Sequence, residues 1–170
     1  MQYRDENGKI KEKQSIAKTL TKLGAYGLLN ELYGGEIPKQ RVERLVREGK
    51  MPREAVIKAE AFWETDLRKP LLDPRGVNVT VTLNDVYHVI VDPRIWRHPE
   101  RIKKILNFVV EIVESKTPGF EVLISEWGEN GKTIYAYAVI ALNKTLKVAH
   151  VVDKKKIRQL KKGAKVLWVK

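Results

Sequence analysis

The sequence predicts an α+β fold. A small helical module over residues 1–70 precedes a domain over residues 71–170, in which an antiparallel sheet of four to five strands packs on one long helix. Three observations carry this expectation. Apolar residues recur at helical spacing up to the segment RKPLLDPRG and then switch to strand alternation beyond it. Asn130-Gly131 joins two runs rich in β-branched and aromatic residues, and Asn-Gly is the strongest short hairpin signal. A chain of 170 residues that is 43% hydrophobic has the apolar material for a packed core.

In chain order, Ile16, Leu20 and Leu23, then Leu28, Leu29 and Leu32, give a helical stripe ended by Gly34-Gly35. Two short helices follow, started by Pro38 and Pro52, since proline suits the first helical position, where an N–H has no partner. Gly49 separates them. Val42, Leu45 and Val46 form the apolar face of the first, and Val56, Ile57, Ala59, Phe62 and Trp63 that of the second. The pair also fits a helix-turn-helix, but the turn has no specific signature and the local charges balance, so packing or docking is the expected role. After the proline-rich break, Val77, Val79, Val81 and Leu83 alternate with polar residues and predict one strand. A helical turn over residues 85–90 comes next.

His98-Pro99-Glu100 then opens the long helix, with Ile102, Ile105, Leu106, Val109 and Val113 as its buried stripe. Thr117-Pro118-Gly119 stops it. Strands are expected over residues 120–127, 132–142 and 146–152, a basic helix over 154–162 ended by Gly163, and a closing strand over 166–169. On the hairpin, Phe120, Val122 and Ile124 are read as facing the core together with Ile134, Ala136, Ala138 and Ile140. That reading puts Trp127, Thr133, Tyr135 and Tyr137 on the opposite, open face.

Charge narrows the function. The chain has 33 basic and 21 acidic residues, a formal net charge of +12. Residues 1–85 hold 16 basic against 13 acidic, whereas from Lys144 onward there are ten basic residues and one acid, Asp153. A concentrated cationic segment attracts phosphate chains by counterion release. The alternative, a Lys/Glu-rich surface adapted to heat, would mix the signs. With no cysteine, disulfide scaffolds, thiolate metal sites and thiol catalysis are excluded. The three histidines, His88, His98 and His150, match no metal-ligand spacing, and no glycine-rich phosphate loop, nucleophile elbow or HExxH motif occurs, so neither metal nor cofactor is expected. The first residues, MQYRDENGKIKEKQ, lack an apolar signal region and no run is long enough to span a bilayer, which predicts a cytoplasmic or virion-associated protein without a membrane partner.

RNA is the partner these residues fit. Cleavage of RNA without metal needs a base for the 2′-hydroxyl proton, an acid for the leaving 5′-oxygen, and cations for the phosphorane. Histidine, tyrosine, arginine and lysine near a sheet supply those groups, and an open face bearing Trp127, Tyr135 and Tyr137 is a stacking surface for single-stranded RNA. Lys132, Lys147, Lys154, Lys155, Lys156 and Arg158 are the candidate phosphate contacts. The aromatics equally fit a second core. His88 equally fits an exposed off-face position and His98 a helix cap, while His150, in phase with Leu146, Val148 and Val152, reads as core-facing. Three successive lysines at a helix start oppose the helix dipole, a placement that a bound phosphate would relieve.

The runs TLNDVYHVI and RHPERIKKIL, the strands FEVLISEW, TIYAYAVIAL and LKVAHVV, and the end KKKIRQLKKGAKVLWVK resemble the phage-associated nucleases of the barnase–EndoU–colicin–RelE-like superfamily over residues 76–170. The resemblance implies a ribonuclease-like fold and metal-independent endoribonuclease activity, with transesterification to a 2′,3′-cyclic phosphate. It also implies fusion or association with phage head proteins, or an immunity protein as partner. His88 matches the family's first histidine, His98 its His-Pro histidine, and Arg101 the nearby cation, with Tyr137 completing the expected catalytic set; which histidine is acid and which base stays open. The late-strand Ser/Thr of the family has no clear counterpart, Thr145 being displaced into a turn. A non-enzymatic nucleic-acid-binding or virion structural protein is the competing expectation.

Overall fold

In the computed structural model, which describes residues 36–170, two helices lead into a mixed α+β body. The helical stripe expected from Ile16 to Leu32 lies outside the described residues. Helix α1, Pro38–Arg47, carries its proline in the first turn, and Gly49 at φ 73° turns the chain into α2, Arg53–Phe62. The last turn of α2 widens into a π turn, Trp63–Leu67, pinned by the Trp63 indole N–H donating to the Val81 carbonyl at 2.7 Å. A two-stranded ribbon follows, β1 Leu71–Leu72 and β2 Asn78–Val79, closed around Asp73, whose carboxylate accepts the N–H groups of Arg75 and Val77.

The single strand expected from Val77 to Leu83 is shorter. Beyond β2 only Thr80 pairs, as a parallel bridge to Thr145, and Leu83 already belongs to helix α3, Leu83–Val89. A reciprocal cap causes this: the Thr82 hydroxyl accepts the Asp85 N–H while the Asp85 carboxylate accepts the Thr82 N–H. Asp92 caps a further short helix, α4, Pro93–Trp96, and α5 spans Glu100–Asn107.

The expected long helix from His98 to Val113 is corrected to α5 followed by a strand, β3, Val109–Glu114. Ile102, Ile105 and Leu106 are its buried stripe as expected. Val109 and Val113 are buried too, but in a strand: residues four apart share a face in a helix and, being an even number apart, also in a strand. The run Val109-Val110-Glu111-Ile112-Val113 is dominated by β-branched residues, which favour the pleated surface over the helix. A bulge between Val109 and Glu111 then shifts the phase, so that Val109 and Ile112 join one core while Val110 and Val113 join another.

Strands β4, Phe120–Glu129, and β5, Lys132–Ala141, form the hairpin across Asn130 and Gly131, both at positive φ (52° and 77°) as a tight hairpin turn requires. With β6, Leu146–Val152, helix α6, Lys154–Lys161, and β7, Val166–Val169, the fold closes. The five-stranded sheet has the order β6-β5-β4-β3-β7, antiparallel throughout. Both of its faces carry helices. On one, Leu123, Trp127, Ala136, Ala138 and Ile140 meet Ile105 and Leu106 of α5 and, through Val86 and Val89, the helices α1 and α2; the small side chains of β5 let these helices close on the sheet. The buried Ser125 hydroxyl ties α5 down by donating to the Ile105 carbonyl. Residues 38–67 therefore share one core with the sheet, and the segment after residue 67 runs along that packed body.

On the other face, Val113, Val122 and Ile124 pack with Tyr135, Tyr137 and Val139 beneath Ile157 and Leu160 of α6. The expected core phase of β4 is thus reversed. Val122 and Ile124 lie with the tyrosines, and Trp127 lies in the helix-covered core. As a central strand β4 is buried on both sides, Val122 and Ile124 on one and Leu123, Ser125 and Trp127 on the other, so its alternation does not tell which side meets the larger core. Among the described residues, no helix is long and apolar enough to cross a membrane.

Candidate functional site

The face carrying the tyrosines is only partly covered, and what remains open is a groove. Helix α6 begins where the Asp153 carboxylate accepts the Lys156 N–H at 2.8 Å, presses Ile157 and Leu160 onto the sheet, and ends at Gly163 (φ 70°), which turns the chain back into β7. Between this helix and the sheet lies a groove of about 470 Å³. Its floor is Val122, Tyr137, Val139 and Val148; α6 contributes Lys156, Gln159 and Leu160; Lys162 and the turn residues Ser115 and Lys116 complete the rim. Among the described residues, no acidic side chain lines it.

Beside Tyr137 of the groove floor stands a histidine held by a carboxylate. His150 is the register partner of Tyr137, with ring centroids 5.6 Å apart. Its Nδ1 lies 3.3 Å from Asp92 Oδ2. Asp92 reaches it from the cap of α4, which packs against β6, and is itself fixed by the Arg94 N–H at 2.9 Å and the Arg94 guanidinium. Burial alone would raise the Asp92 carboxyl, but the hydrogen bonds from Arg94 and His150 outweigh it and hold the group below its ordinary value. A carboxylate on Nδ1 fixes the ring orientation and favours the tautomer with the lone pair on Nε2. Nε2 has no hydrogen-bond partner among the described residues, and the side chain is 39% exposed. Burial raises the Tyr137 phenol above its ordinary value, so it remains protonated at neutral pH. A carboxylate-oriented imidazole beside a neutral phenol is an acid–base pair.

The expected site residues are distributed differently. His150, read as core-facing, faces the groove side instead. His88 is largely buried on α3, where burial, and then the positive charges of Arg41, His150 and Lys147, push its imidazole down to about 4. It is neutral at pH 7 and a weak base. His98 is half-exposed between α4 and α5; its Nδ1 lies 3.6 Å from Glu100, and Pro99, not His98, stands at the helix cap. Arg101 is committed to Glu129 (2.7 Å) and to the Arg94 carbonyl, and is only 11% exposed. That guanidinium and the Trp127 indole N–H, 2.9 Å away, hold the Glu129 carboxyl down at about 2. No hydrogen bond, ion pair or ring contact among the described residues joins His98 or Arg101 to Tyr137.

Two of the RNA-contact expectations are overturned. Trp127 is buried in the helix-covered core, so it offers no stacking face, and Lys147, at a bulge of β6, is buried in an ion pair with Asp85 at 3.0 Å. Tyr135 is half-buried beneath α6, Lys132 is exposed at the hairpin turn, Lys154, Lys155 and Arg158 are exposed on α6, and Lys156 is at the groove. The sequence reading missed Asp92, which looks like an ordinary helix cap before Pro93, and Ser115, Lys116, Gln159 and Lys162, which only the register brings together. Its one usable signal was parity: Tyr137 and His150 share a face once the β5–β6 register is known.

No family model, curated protein or solved structure matches the chain.

Proposed function

We propose that the chain binds RNA along the groove between the sheet and α6 and cleaves it without a metal, by attack of the 2′-hydroxyl on the adjacent phosphorus. The observation that carries this reading is the His150–Asp92 pair in ring contact with Tyr137, beside a groove rimmed by lysines and, among the described residues, lacking acids. In this mechanism Asp92 holds the imidazole, and His150 Nε2 takes the 2′-hydroxyl proton. The 2′-oxygen then bonds to phosphorus as the bond to the 5′-oxygen breaks. The Tyr137 phenol protonates the leaving 5′-oxygen and recovers its proton from the imidazolium, leaving a 2′,3′-cyclic phosphate and a 5′-hydroxyl. Lys156, which lines the groove together with Tyr137, offsets the charge gathered on the phosphorane. Arg101 has no place in this scheme, and His88 and His98 act only through structure.

The test is cleavage of transfer RNA and total RNA in EDTA by the full chain and its variants. His150→Ala lowers the rate by about 10²–10⁴, the contribution of a positioned general base, while RNA binding persists. His98→Ala and His88→Ala, if folded, leave cleavage within a few-fold of wild type. Undiminished cleavage by His150→Ala overturns the site. RNA binding by the wild type with no cleavage overturns the enzyme and leaves a non-enzymatic RNA-binding protein.

A further inference from the structure

The catalytic reading uses only Tyr137 and Lys156 of the groove. The rest of its floor and its rim are unaccounted for, and they have a chemistry of their own. We propose that the groove is a subsite for one unpaired nucleotide: the base lies on the floor against Tyr137, Val139 and Val148, and its flanking phosphates meet Lys116, Lys156 and Lys162. The proposal rests on the RNA-cleaving reading for its substrate class, and it commits the site to single-stranded RNA.

Four observations support it. The floor combines three valines with a tyrosine, a surface that takes the face of any base without a hydrogen-bond requirement. About 470 Å³ lies in the range of small-ligand pockets and is closed on one side by α6, so a base can enter edge-first but a stacked duplex cannot. A-form RNA keeps its base faces inside the stack and offers only its outer edges and backbone, none of which seeks an apolar floor. The rim carries cations from two separate elements, the turn after β3 and the helix α6, so phosphates are met on either side of the base.

The rim also has a base-edge reader. The Gln159 backbone carbonyl accepts from Lys116 Nζ at 3.3 Å, which draws the two rims together, while the Gln159 side-chain amide is committed to no partner among the described residues. An amide presents donor and acceptor together, the pattern that a base edge complements. Ser115 is the second polar group at that rim. Gln159 is accordingly a specificity-determining residue, and it touches neither His150 nor Asp92.

The experiment is calorimetric titration of the full chain with adenosine 3′-monophosphate, uridine 3′-monophosphate, inorganic phosphate and butyl phosphate, and with a single-stranded RNA oligomer and its duplex. Nucleotides are expected to bind roughly five- to a hundredfold more tightly than either phosphate without a base, the range that one stacked base supplies. The single strand is expected to bind more tightly than the duplex. Val148→Glu, which puts a carboxylate on the floor, is expected to abolish nucleotide binding. If that variant loses its thermal transition, Lys116→Glu with Lys162→Glu, both at exposed positions, takes its place with the same expected loss. Gln159→Ala is expected to change the ratio between the two nucleotides.

Equal affinity for butyl phosphate and nucleotide, equal affinity for duplex and single strand, or unchanged binding in a folded Val148→Glu overturns the subsite. The readout needs no turnover, so the two proposals fail separately. EDTA-resistant cleavage without nucleotide binding removes the subsite alone. Nucleotide binding in a protein that cleaves nothing removes the enzyme alone.

Discussion

His88 illustrates how burial and neighbouring charge decide what a side chain can do. Its imidazole is largely buried and within electrostatic reach of Arg41, His150 and Lys147, so the protonated form is disfavoured and the group titrates near 4 instead of its ordinary 6.5. The consequence for stability has a definite sign. The unfolded chain takes up the proton first as pH falls, so stability is fully present above about 6.5, declines between 6.5 and 4, and levels off below that. A shift of that size corresponds to a loss of about 3 kcal/mol at most. The carboxylates of Asp92 and Glu129, both held low by their partners, titrate below this window and add their loss at lower pH. His88→Gln is therefore expected to flatten the fall in melting temperature between pH 7 and pH 4.5 while leaving the acid transition below it. An unchanged pH dependence in that window contradicts the assignment. The sequence offers no hint of this environment, because an isolated histidine in a short helix looks the same whether it is buried or exposed. His150 misled for a different reason: it shares a side with Val148 and Val152, but the bulge at Lys147 puts Leu146 on the other side, and the side of Val148 is the one that carries a groove.

At the scale of elements, legibility follows how many faces an element buries. The β4–β5 hairpin and the strands β6 and β7 could be read from turn chemistry and length, since Asn130-Gly131 and Gly163 take the positive φ that their turns need. The boundary between α5 and β3 could not, because an even spacing of valines satisfies both periods and the intervening bulge is invisible in sequence. Likewise β4 is buried on both faces, so the alternation of Val122 and Ile124 with Glu121 and Ser125 does not tell which side meets the larger core, and that error moved Trp127 to the wrong side. Helix α6 was legible because its polar face is so basic, and its start exposes a local conflict. Lys154, Lys155 and Lys156 occupy the end of the helix that repels cations, and Asp153 offsets them by accepting the Lys156 N–H. Asp153→Ala is expected to cost about 1 kcal/mol, a fall of about 2–4 °C in melting temperature for a chain of this size. Asp153→Asn, which keeps the acceptor, restores most of it. Equal losses in the two variants would show that the charge, not the cap, holds the helix.

The charge of the whole molecule acquires a location from this arrangement. Ten cations lie from Lys144 onward, but Lys144, Lys147 and Lys161 are paired with Glu121, Asp85 and Glu111. The remaining seven sit on α6, at its end, and along β7, and Lys116 joins them across the groove. Each phosphate neutralised on a single strand contributes about −0.7 to the slope of log affinity against log salt. If only the three groove lysines engage a bound strand, that slope is about −2; if all eight cations engage it, the slope approaches about −6. A single-stranded oligomer is expected to fall between these limits. Lys162→Ala is expected to make the slope shallower by about 0.7 while reducing affinity for every sequence alike. Lys147→Ala, by contrast, removes one partner of a buried ion pair and is expected to act on stability with no change in slope. A slope near zero would mean that no polyanion chain lies on this surface. A slope that responds to Lys147→Ala in a folded protein would place the strand on the α3 side of β6, away from the groove.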